Sequence, residues 1–412
     1  MKVTDEYVKK TDKDIFSPFI KNSGRTLSVL GTTVTQNPVL KRYAEKDLGL
    51  KLELVTLGGF TAQQRAALSP QSYDVYDQWF HDIDLSWPTG SLQPIEVSKI
   101  KCFDRIDLSA LNSYLPLKDE SWYPTAPIDR LFVNQDLSLS RQISGEISML
   151  PTIFNADTMA IVNPKDDKAY SYSSSWIDLL SEIWTGSVVI QKDWAISVAE
   201  LLLALIEKKH LEIENIKDLN ILEIDNFIAQ LNKFMRSGQF IEYWEVEEDL
   251  EEIVSKNKTI LCSIWWSGAM KLKSLGHDVK MLTPKEGYRG WFGGLALSKA
   301  ISGWALDAAY EYLNWWLTGP AGAYICRQGG YFTNITGVQS FLQDHEFEFW
   351  INGEAARYDI FDNDGRLLYN ASQKREGGSL FERMNKIAIW NTVMPEHNYL
   401  VRQWETLPWN YR

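Results

Sequence analysis

The sequence has 412 residues, of which 45% are hydrophobic and 23% charged, as is typical of a globular protein with a buried core. Its net charge of −12 argues against a nucleic-acid ligand, because phosphates require a basic surface. The longest apolar run, residues 195–206, is too short to span a bilayer.

The first predicted elements alternate between strand and helix. Residues 25–34 alternate in polarity and end in a Gly-Thr-Thr turn, which predicts a strand followed by a loop. Residues 37–49 show helical spacing between an Asn-Pro start and a glycine stop. A strand at 50–57, a helix at 61–68 and a strand at 73–79 follow. This order predicts a parallel sheet with helices on its faces.

The same alternation returns later in the chain. The predicted helices and strands are 175–184 (helix), 186–193 (strand), 195–209 (helix), 220–238 (helix) and 258–268 (strand). The acidic run at 242–252 is interpreted as a solvated helix face. The chain is therefore predicted to contain two α/β units.

Two extended segments connect these units. Residues 146–163 and 285–298 are strand-like and rich in polar or aromatic side chains. We expect them to be hinge strands with a ligand cleft between the lobes they join. In residues 285–294, glycines would permit the backbone changes of closure, and the aromatic side chains would project into the cleft.

Aromatic residues make up 13% of the chain and include 17 tryptophans. Most are interpreted as core residues, but we expect a minority to line a ligand site, since aromatic faces stack and attract cations. The three cysteines and five histidines are too scattered for a zinc site or a disulfide framework. We therefore expect buried free thiols, no metal and no cofactor.

The ordered motifs of residues 26–340 resemble the substrate-binding proteins of bacterial ABC importers, and among them the spermidine/putrescine-binding branch. The motifs are a strand that ends at Trp265, an EGxxxW segment followed by Leu-Ala-Leu at 286–297, and Gly330-Tyr331 to Asn334. The resemblance implies an α/β protein of the type II periplasmic-binding-protein fold. Such a fold has two three-layer α/β/α lobes joined by hinge strands, with a ligand cleft between them.

The resemblance also implies a function without enzymatic chemistry. The protein would capture a small solute in the periplasm and deliver it to the membrane subunits of an ABC importer. Residues 1–10 contain no apolar segment of a signal peptide, so we expect either a mature periplasmic form or a cytoplasmic protein. We expect a monomer that binds no nucleic acid.

We divide the chain into an N-terminal arm and two lobes. The arm is 1–25, the first lobe is 26–160 plus 297–342, and the second lobe is 161–296 plus 343–412. The tail from about 343 onwards departs from the family pattern.

In the family that the chain resembles, aromatic faces and carboxylates hold the amine groups of the ligand. Trp265, Trp291 and Tyr331 match aromatic positions of the family motifs, and Asp193 matches a carboxylate position. Loops and the first hinge segment add the candidates Trp79, Asp77, Gln78, Thr32, Thr33, Asn155 and Asp157.

Two carboxylate positions of the family are lost here, to Gly293 and Ile196, whereas Arg289 is gained. The leading prediction is an amine-containing, polyamine-like solute. The alternative is a zwitterionic or anionic ligand held by Arg289, although this arginine can equally form a salt bridge without ligand. A two-lobed enzyme such as a glycosidase and a non-transport sensor are further alternatives, but the sequence has no phosphate-binding loop or G-x-S-x-G motif.

Overall fold

The computed structural model describes residues 25–114, 126–164, 174–257 and 259–409. Apart from Arg25, the predicted N-terminal arm lies outside these ranges. Within them, no helix combines the length and the apolar composition that a bilayer crossing requires.

The first part of the chain confirms the predicted alternation. Its elements are β1 (Thr26–Gly31), α1 (Pro38–Leu48), β2 (Lys51–Thr56), α2 (Gly59–Leu68), β3 (Val75–Trp79) and α3 (Ile83–Ser86). β1 pairs in parallel with both β2 and β3. The side chain of Asn37 accepts a hydrogen bond from Val39 N at 2.7 Å, and Gly49 ends the helix with a left-handed φ of 67°.

Short strands precede the first long one. They are β4 (Leu92–Gln93), β5 (Ile95–Glu96), β6 (Phe132–Val133), β7 (Leu139–Ser140) and β8 (Glu146–Ile147), and β9 (Leu150–Val162) follows. β5 to β8 form a small separate sheet. All thirteen residues of β9 are buried, as expected for a strand in the centre of a covered sheet.

The second α/β unit follows. Its elements are β10 (Val188–Gln191), α4 (Trp194–Glu207), α5 (Ile221–Arg236), β11 (Phe240–Trp244), α6 (Glu247–Lys256), β12 (Ile260–Ile264), α7 (Trp266–Ser274) and β13 (Val279–Met281). β10 pairs in parallel with β11 and β12.

Two local predictions for this unit are wrong. Instead of an α-helix at 175–184, there are two 3₁₀ helices, Trp176–Leu180 and Glu182–Trp184, because Ser181 between them is extended with ψ 139°. The acidic run at 242–252 is not a single helix face, since β11 continues to Trp244 and α6 begins only at Glu247.

The two predicted connecting segments lie side by side in the sheet. β14 (Tyr288–Ser298) pairs antiparallel with β9, while β9 also pairs with β12 and β14 also pairs with β3. In the described ranges, the main sheet therefore has the order β11-β10-β12-β9-β14-β3-β1-β2. The two long strands join the two α/β units at its centre.

The glycines of β14 allow close packing. A Cβ atom on Gly290 would lie 2.6 Å from the ring of Trp390, and one on Gly294 would lie 2.5 Å from the carbonyl oxygen of Leu150. A glycine inside a strand commonly marks such a close approach. Close packing is therefore sufficient to explain glycine at both positions. The two glycines are not additional evidence that β14 is a flexible hinge.

The remaining helices and strands pack against both α/β units. They are α8 (Gly303–Trp316), α9 (Pro320–Cys326), β15 (Tyr331–Phe332), α10 (Ile335–Gln339), α11 (Asp344–Trp350), β16 (Ile360–Phe361), β17 (Leu367–Tyr369), α12 (Leu380–Met384), β18 (Ile387–Trp390) and α13 (His397–Glu405). β18 pairs in parallel with β14, and α13 packs on α5. The buried apolar side chains form two hydrophobic clusters, and the tail from residue 343 onwards contributes to both. Trp350 belongs to the first cluster and Trp404 to the second, although the tail was predicted to belong to the second lobe alone. The lobe boundaries stay a prediction.

Candidate functional site

A small cavity lies beside β9 and β14, near the carboxyl end of β3 and the first turns of α4 and α7. Its volume is about 30 Å³, and its lining includes Trp79, Asn155, Ile196, Trp265, Arg289, Trp291 and Asn391. A space of this size holds about one or two water molecules. The cavity in this structure is therefore smaller than an organic solute.

Three tryptophans from three different elements contribute to this cavity. Trp79 is the last residue of β3, Trp265 immediately precedes α7, and Trp291 lies in β14. The ring centroids of Trp79 and Trp265 are 6.4 Å apart, and Trp265 meets Trp244 edge-on at 5.0 Å. All three are partly buried, so each has a ring surface that a ligand can contact.

Arg289 is buried and its charge is balanced by two carboxylates. Its Nε donates to Glu200 Oε1 at 2.8 Å, and its Nη2 donates to Asp157 Oδ2 at 3.3 Å. Its Nη1 donates to Asn391 Oδ1 at 3.0 Å, and Trp291 Nε1 donates to the same Asp157 oxygen at 2.6 Å. Burial raises the pKa of both carboxyl groups, and the Arg289 charge opposes that rise. This geometry favours the salt-bridge interpretation of Arg289 over the anion clamp.

Asp193 is not among the residues that line the cavity, but it brings a carboxylate near Trp79 from the opposite half of the main sheet. It caps α4, where its Oδ1 accepts a hydrogen bond from Ala195 N at 2.9 Å. Its Oδ2 lies 3.6 Å from the point where a Cβ of Gly59 would be, and the Trp79 ring comes within 2.6 Å of the same point. Burial raises the pKa of the Asp193 carboxyl.

Solved structures of other proteins share this architecture. One is a spermidine/putrescine ABC transporter substrate-binding protein from Streptococcus pneumoniae, solved in complex with calcium and HEPES. Its sequence is 12% identical to this one, the match covers 93% of this chain and 99% of that chain, and the TM-score is 0.56. A protein described as a GABA receptor is 13% identical, with coverage of 94% and 98% and a TM-score of 0.57. A periplasmic binding protein from A. tumefaciens in complex with agropinic acid is 14% identical, with coverage of 78% and 86% and a TM-score of 0.53.

This chain has the type II periplasmic-binding-protein fold. The fold class expected from the sequence motifs is thereby confirmed. No protein-family model and no curated protein matches the sequence, so the likeness to these structures is one of fold.

Tyr331, which we predicted as a ligand contact, is not among the residues that line the cavity. Its side chain is completely buried, and its hydroxyl accepts a hydrogen bond from Arg383 Nη1 at 3.1 Å. The Arg375 guanidinium lies 4.6 Å from the centre of its ring. These arginines, which come from the tail, cover the tyrosine, and the neighbouring Gly330 lines the cavity instead.

Asp77 and Gln78 lie in the sheet, away from the cavity lining. Each is 3% exposed. Burial raises the pKa of Asp77 to about 7, and a hydrogen bond from Thr35 opposes the rise. Gln78 Nε2 donates to Gly59 O at 3.3 Å. Only the next residue of β3, Trp79, reaches the cavity at the end of the strand.

The first loop contributes a different residue from those predicted. Thr32 is buried and Thr33 is exposed, whereas Val34 lines the cavity. On β9, Asn155 does line the cavity, with its Nδ2 donating to Gly329 O at 3.2 Å. The predicted Asp157 does not line the cavity, but it accepts hydrogen bonds from two residues that do, Arg289 and Trp291.

Sequence reasoning missed several residues of this site. Asn391, which follows β18, lines the cavity and binds Arg289. Ser267 also lines it, and its hydroxyl donates to Glu247, whose pKa burial raises to about 7. The position of Glu247 could have been predicted from the sequence. It is the first residue of α6, which begins just after the carboxyl end of the parallel strand β11, where ligand sites of α/β sheets lie. For Asn391 no local signal existed.

Metal ligation finds no support in the described ranges, which contain no group of three or more histidine, cysteine or acidic side chains able to hold an ion. Cys102, Cys262 and Cys326 are buried and free, as predicted.

Proposed function

We propose that this protein captures a small amine-containing solute in the cleft between its lobes and delivers it to the membrane subunits of an ABC importer. The observation that carries the proposal is the group of Trp79, Trp265 and Trp291 at the cavity, with the Asp193 carboxylate beside Trp79. The type II fold, shared with transporter substrate-binding proteins, supports the transport role and gives no support to an enzyme. We place the protein in the periplasm on the same grounds.

Electrostatics favours an amine over an anion. Each aromatic face attracts a cation by about 0.5–2 kcal/mol, and a carboxylate adds a charge-assisted hydrogen bond to an ammonium group. Arg289, by contrast, already contacts Asp157 and Glu200. To hold an anion it would have to leave these partners, and breaking a buried ion pair costs about 3–5 kcal/mol.

A zwitterionic ligand is the second candidate. Two structures with the same fold are described as a GABA receptor and as a complex with agropinic acid. These descriptions support a ligand that carries an acid group as the second candidate. In that case the amine would bind near Asp193, and the acid group would approach Arg289 or Asn391, which both line the cavity.

Entry of either ligand requires the cleft to open, since the present cavity of about 30 Å³ is too small for an organic solute. β9 and β14 are the segments that connect the two halves of the sheet. We propose that the lobes rotate about these strands, and that the importer recognises the closed, loaded state.

A thermal-shift panel tests the ligand class. We expect putrescine or spermidine to raise the unfolding temperature, because a ligand at one hundred times its Kd stabilises the folded state by about 2.7 kcal/mol. γ-Aminobutyrate would report a zwitterion site, and succinate serves as the anionic control. A shift with succinate but with no amine would contradict the proposed function.

A further inference from the structure

Asn391 is a cavity residue that comes from the tail, the part of the chain that departs from the family pattern. It directly follows β18 and is 8% exposed. Its backbone N–H donates to Gly290 O at 2.9 Å, which holds it beside β14. It lines the same cavity as Trp79, Trp265 and Trp291. A largely buried amide at such a position needs hydrogen-bond partners for both its oxygen and its nitrogen.

The orientation of the Asn391 amide follows from its contact with Arg289. The Nη1 of Arg289 donates to the Oδ1 of Asn391 at 3.0 Å. A guanidinium group has donors only, so the amide must turn its oxygen towards Arg289, and its oxygen and nitrogen cannot be exchanged. The Asn391 Nδ2 donates to none of the described residues. The amide nitrogen therefore carries two N–H donors that are left for a ligand.

The other unpartnered polar groups of the cavity lining are mainly donors too. The indole nitrogens of Trp79 and Trp265 donate to none of the described residues. Gln328 also lines the cavity, and its amide, which can donate or accept, forms no hydrogen bond within the described part of the chain. The described lining residues include no carboxylate. Acceptor side chains are therefore scarce here, and a ligand that carries an acceptor would satisfy the donors.

A neutral oxygen matches these donors better than a carboxylate does. Arg289 is the one charged residue among the described lining residues, and it is already paired with Asp157 and Glu200. It therefore has no unbalanced positive charge for a further anion. A hydroxyl or carboxamide oxygen can accept from Asn391 without bringing a charge into the cavity.

We propose that Asn391 binds a neutral oxygen of the solute, from a hydroxyl or a carboxamide, through its Nδ2 group. This inference rests on the proposed function and adds a second polar group to the amine-containing solute. A second ammonium group does not fit this position, because it has donors only and would face the donors of Asn391 and the charge of Arg289. The solute is thus an amino alcohol or an amino amide, and a diamine such as putrescine binds more weakly, through one amine.

Three amines of equal chain length test the assignment in the wild-type protein. Putrescine ends in a second ammonium group, aminobutanol in a hydroxyl group and pentylamine in a methyl group. In calorimetric titrations we expect aminobutanol to bind at least about tenfold more tightly than the other two, because only its hydroxyl satisfies the Asn391 donors. Putrescine or pentylamine bound as tightly as aminobutanol, or γ-aminobutyrate bound more tightly, would overturn the proposal.

Asn391→Asp gives a second readout, which a merely structural role of Asn391 would not change. Aspartate keeps an oxygen towards Arg289 but replaces the two donors by a charged acceptor. We expect the preference to reverse, with putrescine bound about tenfold more tightly than aminobutanol, because the carboxylate attracts the second ammonium group. Retention of the wild-type preference would overturn the role of Asn391. The wild-type series tests the proposal even if this variant does not fold.

Asn232→Asp is the matched control. Asn232 lies on α5, and its Oδ1 likewise accepts a hydrogen bond from an arginine, Arg236 Nε, at 2.9 Å. It is not among the residues that line the cavity. We expect this variant to bind each amine within about twofold of the wild type, because its added charge lies outside the cavity and is screened by solvent.

The same titrations separate this inference from the proposed function. Wild-type binding of the amines without a preference for aminobutanol would overturn the assignment of Asn391 and leave the capture of an amine standing. Failure of the wild type to bind any of the three amines would overturn the proposed function as well.

Discussion

Replacement of Arg289 by methionine is expected to destabilise the protein by about 3–5 kcal/mol, a large fraction of the stability of an ordinary domain. The variant leaves the carboxylates of Asp157 and Glu200 without their guanidinium partner, and both side chains are at most 1% exposed. Urea denaturation followed by circular dichroism measures the loss.

The pH dependence of this loss has a definite sign. Burial raises the folded-state pKa of the Asp157 and Glu200 carboxyl groups, and loss of the Arg289 charge, which opposes that rise, raises it further. A carboxyl group with a raised folded-state pKa destabilises the fold as pH rises above the pKa it has in the unfolded chain. The variant should therefore be closer to the wild type at pH 5 than at pH 8.

Arg366→Met is the matched control for Arg289→Met. Arg366 is exposed, and its Nη1 is 3.9 Å from Asp364 Oδ2. A surface pair of this kind contributes at most about 1 kcal/mol. If both methionine variants unfold at the same urea concentration as the wild type, the buried ion-pair network has no energetic importance.

Trp265→Ala and Trp291→Ala are each expected to weaken amine binding about tenfold or more. Loss of one ring removes a cation–π contact and apolar contact area, and about 1.4 kcal/mol corresponds to a factor of ten in Kd. Calorimetric titration with putrescine measures the change. Trp291→Phe separates the contribution of the aromatic face from that of the hydrogen bond to Asp157, because phenylalanine keeps the face and cannot form the bond.

Trp87→Ala is the control for the tryptophan variants. Trp87 is also partly buried, but its Nε1 donates to Leu137 O at 2.8 Å, and it is not among the residues that line the cavity. We expect this variant to bind within about twofold of the wild type. Unchanged affinity in both cleft variants would remove Trp265 and Trp291 from the ligand site.

Local signals explain why much of the fold was predictable. The Asn37 cap and Gly49 delimit α1, and alternation of polarity delimits β1 and β2, because these signals depend on neighbouring residues only. The position of β18 beside β14 depends on packing between segments about 100 residues apart, such as Arg289 and Asn391. No local pattern encodes that pairing.

The candidate site shows the same division. The positions of Trp79 and Trp265 at the cavity were predictable, because Trp79 ends β3 and Trp265 directly follows β12. Ligands of open α/β sheets bind at the carboxyl ends of the strands. The burial of Tyr331 was not predictable, because it depends on Arg383, which is 52 residues away in the chain. Arg289 stayed ambiguous because its partner Asp157 is 132 residues away in the chain.

A crystal structure of the protein with putrescine, compared with the free protein, locates the ligand directly. We predict the diamine in the cleft, with its methylene chain against Trp265 or Trp291 and one nitrogen within hydrogen-bonding distance of Asp193. We also predict lobes rotated about β9 and β14 relative to the free form. Putrescine bound outside this cleft, or a parallel γ-aminobutyrate complex with its carboxylate on Arg289 and no amine contact to Asp193, would contradict the proposed amine site.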